Sequence, residues 1–235
     1  PPRSTPKPSS AASDVYKRQV VRFLFASPVL RNVVIAGTLT AFAGYASVIW
    51  VPIYLVRIHE MGTGEAGTYL ALTLGVGGAI GIYLGGRMAD HLGKKYGEHW
   101  LAWLVAIVGV ISVPFMLLCF FAETAETAIL AYAIPAFLGT IYVACGFALI
   151  QNHTPLEMRS VCAAINLFIL NIIGLGLGPF SIGLLSDLFE PSVGQDSLRY
   201  GLLATLVVIV LGCWYYYRTG TFILRTRDRA IVSSL

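Results

Sequence analysis

Residues 75–95, GVGGAIGIYLGGRMADHLGKK, are the stretch on which the fold turns. The first half is apolar and places Gly77, Gly81 and Gly85 at a spacing of four. That spacing puts the three on one side of a helix and predicts close packing against a neighbour in hydrocarbon. The second half turns polar, with Arg87, Asp90, His91, Lys94 and Lys95 within nine residues. A helix leaving lipid for a short basic loop is the expected structure. A nucleotide-binding reading of the glycines is weak, because no strand precedes them and no P-loop lysine-serine or lysine-threonine pair follows.

The whole chain agrees with that setting. Of its 235 residues 57% are hydrophobic and only 12% charged, against about 25% charged in an ordinary soluble domain. Mean hydropathy is +0.75. Charges fall in short breaks between apolar runs, the pattern of a protein that crosses the membrane several times. Cys119, Cys145, Cys162 and Cys213 all lie in apolar runs without a C-x-x-C pair and read as small buried hydrophobes. His59, His91, His99 and His153 are dispersed, so no metal centre is expected and no cofactor is implied.

Working outward, the apolar runs predict an all-α integral membrane protein of six transmembrane helices, at about 32–56, 65–87, 99–121, 127–150, 160–185 and 198–217. Each is long enough, at 1.5 Å per residue, to cross a core of about 30 Å. Residues 218–235 form a basic tail. Residues 9–19, SSAASDVYKRQ, resemble the translation of a transposase adapter used in preparing sequencing libraries, so 1–19 is expected to be an artefactual disordered tail. Without that segment the net charge of +4 falls close to neutral, and no nucleic-acid partner is inferred.

Arg57 and Arg199 stand alone on one side of the six spans, whereas every other Lys and Arg falls on the opposite side. The positive-inside rule therefore expects both termini in the cytoplasm. Pro135 and Gly139 break the fourth span, and Gly174, Gly178 and Pro179 thin and bend the fifth. Trp214-Tyr215-Tyr216-Tyr217 reads as an aromatic belt at the interface. Asn166 and Asn171 are the polar residues deepest in the spans. They read equally as wall of a substrate path and as interhelical glue, and a spacing of five sets them about 140° apart around a helix. Tyr45 and Tyr142 are further candidates for a substrate path.

Gly86-Arg87-Met88-Ala89-Asp90-His91-Leu92-Gly93-Lys94-Lys95 resembles the cytoplasmic-loop motif of the major facilitator superfamily. Gly86, Asp90, Gly93, Lys94 and Lys95 match it, and His91 stands where the motif carries arginine. The string 171–179, NIIGLGLGP, followed by GLLSD at 183–187, is similar to the eleventh helix of the spinster-like branch. The resemblance implies half of a major facilitator fold, the C-terminal six-helix bundle of a secondary carrier working by alternating access. It implies a missing N-terminal half, a small organic or amphiphilic substrate and, if transport is proton-coupled as in many relatives, a coupling proton. Apart from the resemblance, helical spans with cytoplasmic termini among membrane lipids in a bacterial cell mean the inner membrane, since an outer-membrane protein would be a β-barrel. Asp90 would brace the inward surface, with Lys94 and Lys95 as supporting charges. The alternative class is a noncatalytic membrane assembly or scaffold protein. A membrane hydrolase is weaker still, since no nucleophile-base spacing is present.

Overall fold

The computed structural model describes residues 10–233, with side-chain surroundings for 15–229. The chain is helical almost throughout: α1 Ser10–Ala26, α2 Pro28–His59, α3 Thr63–Ala71, α4 Gly78–Tyr96, α5 His99–Phe120, α6 Ala125–Leu138, α7 Ile141–Asn152, α8 Arg159–Ile169, α9 Gly178–Val193 and α10 Ser197–Ser233. Wider π turns over Leu72–Gly77 and Leu170–Leu177 join α3 to α4 and α8 to α9. Among the described residues, five continuous helical stretches are long and apolar enough to cross a membrane, and the last of them, Leu156–Arg229, is long enough to hold two passes. Those passes are α8–α9 and α10. The chain doubles back between them at Gly194, where φ is +59°. The Ser186 and Ser197 hydroxyls then lie 3.2 Å apart. Six passes result, because in hydrocarbon every backbone N–H and C=O must find its partner inside the helix.

Local chemistry sets the helix ends. Ser27 caps α2 by accepting from the Leu30 N–H at 3.4 Å, with Pro28 in the first turn. Thr124 caps α6 in the same way, accepting from the Thr127 N–H at 3.3 Å. Several passes run further than the apolar runs suggest. The largest difference concerns the motif: 86–95 is not a loop but the last turns of α4, and the chain turns only at Gly97, where φ is +109°. No proline lies from Gly86 to Lys95 to break the helix, and Lys94 and Lys95 suit the negative end of the helix dipole. Likewise the basic tail continues α10 as helix through Ser233.

Of the expected disordered tail, residues 1–9 lie outside the described residues, but Ser10–Gln19 is helical and begins α1. Helix-compatible residues there run directly into the apolar VVRFLFA. Val20 and Leu24 of α1 are fully buried, and the Tyr16 hydroxyl donates to the Glu157 carbonyl.

Two apolar clusters hold the bundle. One gathers Leu30, Val105, Leu149 and Tyr216, and the other Tyr54, Phe120, Tyr132 and Leu198. The outside is apolar as well: Leu130 is 71% exposed, and Phe168 and Phe180 are each 65% exposed. On a soluble protein such a surface would aggregate, whereas on a membrane bundle it meets lipid.

Candidate functional site

Glycine faces bring the passes into contact. Gly78, Gly81 and Gly85 are the buried glycines of α4. A Cβ on Gly81 would overlap the Thr140 hydroxyl and the Phe137 carbonyl, and one on Gly85 would lie 2.9 Å from Ile141 Cγ1. Gly77, expected on this face, has nothing within 4 Å of its Cβ direction. The reason is angular. Seven residues return a helix to within about 20° of its starting direction, whereas eight overshoot by about 80°. Gly78 therefore aligns with Gly85, and Gly77 does not.

The contact falls where the fourth pass is broken. Pro135 lacks an N–H, and α6 ends at Leu138. The Gly139 N–H donates to the Pro135 carbonyl at 2.7 Å, and the Thr140 hydroxyl to the Phe137 carbonyl at 2.9 Å, before α7 begins. In the fifth pass a Cβ on Gly178 would approach the Phe42 carbonyl to 2.6 Å, and one on Gly174 the Ala41 Cβ to 3.0 Å. Pro179 supplies its carbonyl to Trp50 Nε1 at 2.8 Å.

Between these close contacts two cavities remain. The larger, about 300 Å³, is lined by Tyr45, Ser47, Ser112, Met116, Tyr132 and Tyr142 among others, with Pro135 and Gly139 in its wall. The smaller, about 130 Å³, is lined by Tyr45, Tyr142, Asn166, Asn171 and Tyr216 together with apolar groups. Tyr45, Tyr142 and Val143 line both. The four residues singled out for a substrate path thus border one cavity. The expected 140° separation of Asn166 and Asn171 does not keep them apart, because the cavity wraps the side of the helix where the π turn begins at Leu170.

The two amides differ. Asn171 is exposed and donates through Nδ2 to the Leu167 carbonyl at 2.8 Å. Asn166 is buried, and its Oδ1 has no hydrogen-bond partner. Tyr216, expected in an interfacial belt, is 1% exposed, and its hydroxyl is also unpartnered. The stripe Leu198, Leu202, Leu206, Cys213, Tyr216, all buried, contains the signal that finds it, since a helix returns to one face every three or four residues.

The motif residues stand apart from the cavities. Asp90, Lys94 and Lys95 are exposed, and Gly86 has nothing within 4 Å of its Cβ direction. A Cβ on Gly93 would lie 2.9 Å from Leu101 Cδ1. Arg87 donates to the Tyr83 hydroxyl at 3.2 Å. Among the described residues no three His, Cys, Asp or Glu side chains are grouped to hold a metal ion.

Six membrane-length passes packed through glycines around a solute-sized cavity define a polytopic membrane bundle of the transporter class. The chain belongs to the Major Facilitator Superfamily, whose family profile matches residues 1–179. The match runs through residues 1–19, and nothing in the comparisons supports an adapter origin for 9–19. The chain is 32% identical over 180 residues to an MFS-type efflux pump of Mycolicibacterium smegmatis, an alignment covering 76% of this chain and 42% of that protein. It is 26% identical over 219 residues to the sphingosine-1-phosphate transporter SPNS2 of Xenopus tropicalis, covering 83% of this chain and again 42% of the relative. Among solved structures, a bacterial homolog of the human lysosomal transporter Spinster, inward-facing and unoccupied, superposes with a TM-score of 0.80 at 21% identity. That superposition covers 96% of this chain and 55% of the other, and it shows the fold: half of a major facilitator bundle. The chain spans less than half the length of the curated relatives it matches.

Proposed function

We propose that this chain is the C-terminal six-helix half of a secondary carrier that moves an amphiphilic, lipid-like solute by alternating access against a partner six-helix bundle. The observation that carries the reading is the pair of adjoining cavities, one roomy and apolar, the other small with polar side chains in its wall. The spinster-like relatives support the solute class. Broken passes in the cavity wall support a gating motion, because a helix already interrupted at Pro135 or across a π turn bends at little further cost. Asp90, with Lys94 and Lys95, braces the surface at the end of α4 during that motion. Gly86 and Gly93 keep the helix there slim.

The distribution of Lys and Arg supports cytoplasmic termini in a bacterial inner membrane. No Asp or Glu lines either cavity; if transport is coupled to protons, the titrating carboxylate is expected in the partner bundle. The test is uptake of a fluorescent lysophospholipid by proteoliposomes holding the complete carrier encoded at the source locus. Uptake above empty vesicles supports the reading. A source locus that encodes only this bundle, with no uptake, overturns it in favour of a membrane assembly protein.

A further inference from the structure

The two cavities differ in how the polar groups of their walls are paired. In the larger one the serine and threonine hydroxyls of the wall are spent on their own helices, beside the tyrosines Tyr45, Tyr132 and Tyr142. Thr40 donates to the Ala36 carbonyl at 2.9 Å, Ser47 to Ala43 at 2.8 Å, Ser112 to Val108 at 2.8 Å and Thr140 to Phe137 at 2.9 Å. What they present inward is mainly carbon. The smaller cavity holds two polar atoms with no partner at all, Asn166 Oδ1 and Tyr216 Oη. Their residues are only 4% and 1% exposed. Neither bonds the other, and a buried polar atom left unpaired is costly enough that native proteins retain few.

The Tyr216 hydroxyl is closed off in this conformation, but the groups nearest it are small. Glycines face it from two other helices: a Cβ on Gly37 would stand 3.5 Å from Oη, and one on Gly146 3.4 Å. The cavity's volume of about 130 Å³ exceeds the roughly 30 Å³ that one water occupies in the liquid. No Lys, Arg, His, Asp or Glu lines either cavity, so nothing in this half would neutralise a charged group there.

We infer that Asn166 and Tyr216 form a subsite for the neutral hydroxyl of an amphiphile whose apolar chain fills the adjoining larger cavity. This rests on the carrier reading above and narrows its solute. Both atoms are closed to water in this conformation, so the subsite forms when the Asn166 and Tyr216 side chains turn toward the cavity they line; a hydroxyl there can donate to Asn166 Oδ1 and accept from Tyr216 Oη. A methyl ether has no proton to give Asn166, and a phosphate would enter unneutralised. Any phosphate or amine on the same solute must then meet its counter-charge in the partner bundle.

The test is photolabelling of the full chain in lipid nanodiscs by a dodecanol bearing a terminal diazirine, compared with its methyl ether. Labelled sites are read by mass spectrometry, which separates the cavity from bulk lipid. The expected result is labelling on cavity residues such as Met116 and Tyr132. The ether should label at least tenfold less, and Tyr216→Phe and Asn166→Leu should each reduce alcohol labelling to the level of the ether. Equal labelling by alcohol and ether overturns the subsite. So do variants that label like the wild type, or a cavity that holds ordered water the alcohol does not displace. If a variant fails to fold, the alcohol-to-ether ratio on the wild type decides. Hydroxyl-dependent labelling in a complete carrier that moves no lipid would overturn the transport reading and leave the subsite. Transport with no preference for the alcohol would do the reverse.

Discussion

Trp50 reaches across the bundle to Pro179: its indole N–H donates to the proline carbonyl at 2.8 Å. The same ring covers Gly183, whose Cβ would lie 2.9 Å from Trp50 Cζ2. One side chain thereby fastens the first pass to the bent fifth pass and fills the space that a glycine leaves. Trp50→Phe should remove the hydrogen bond and part of the contact, costing about 1 kcal/mol. Gly183→Ala should cost about 1–3 kcal/mol by forcing the ring aside. Thermal unfolding of purified protein in detergent measures both, and an unchanged midpoint for both would show that this fastening contributes nothing.

Position along the second pass predicts a sharp contrast between Gly81 and Gly77. Gly81→Ala drives a methyl into the Phe137 carbonyl and the Thr140 hydroxyl, and should lower stability by about 1–3 kcal/mol. Gly77→Ala meets nothing within 4 Å and should be neutral or slightly stabilising, by up to about 1 kcal/mol. Equal effects would contradict the packing of α4 on the break between α6 and α7.

Asp90 is exposed, so its removal should not affect folding. Asp90→Asn in the complete carrier is expected to insert and express normally while lowering the transport rate about tenfold or more. Proteoliposome uptake normalised to reconstituted protein is the measurement. Wild-type uptake would remove Asp90 from gating.

All four cysteines are free and buried. A polar, membrane-impermeant maleimide should therefore modify less than about a tenth of them in the folded protein and all of them after denaturation in dodecyl sulfate. Rapid modification of Cys145 or Cys213 in the folded state would show that the bundle opens to water beside Tyr216.

Much of this was legible from composition and order. Apolar runs separated by short charged breaks determine six passes, since a backbone in hydrocarbon has little choice but helix. The motif at Gly86–Lys95 and the glycines around 171–179 led to the superfamily, because those residues depend on local spacing. Apolar length alone missed where passes stop. Helix α4 carries the motif to Gly97, for polar residues do not end a helix unless the backbone must turn. The reading of residues 10–19 as disordered also failed there, because helix continuity with the following apolar residues outweighs an unusual composition.

By itself the sequence determined that this protein is a six-pass helical membrane bundle. Tertiary structure decided which side chains meet. It exchanged Gly77 for Gly78 on the packing face, gathered Tyr45, Tyr142, Asn166 and Asn171 around one cavity, and moved Tyr216 from an expected interfacial belt to that cavity's wall. The physical reason is that hydrophobic length depends on residues counted along the chain. Facing and burial depend on the rotation of each helix against its neighbours, and π turns and a proline break alter that rotation partway along three of the six passes.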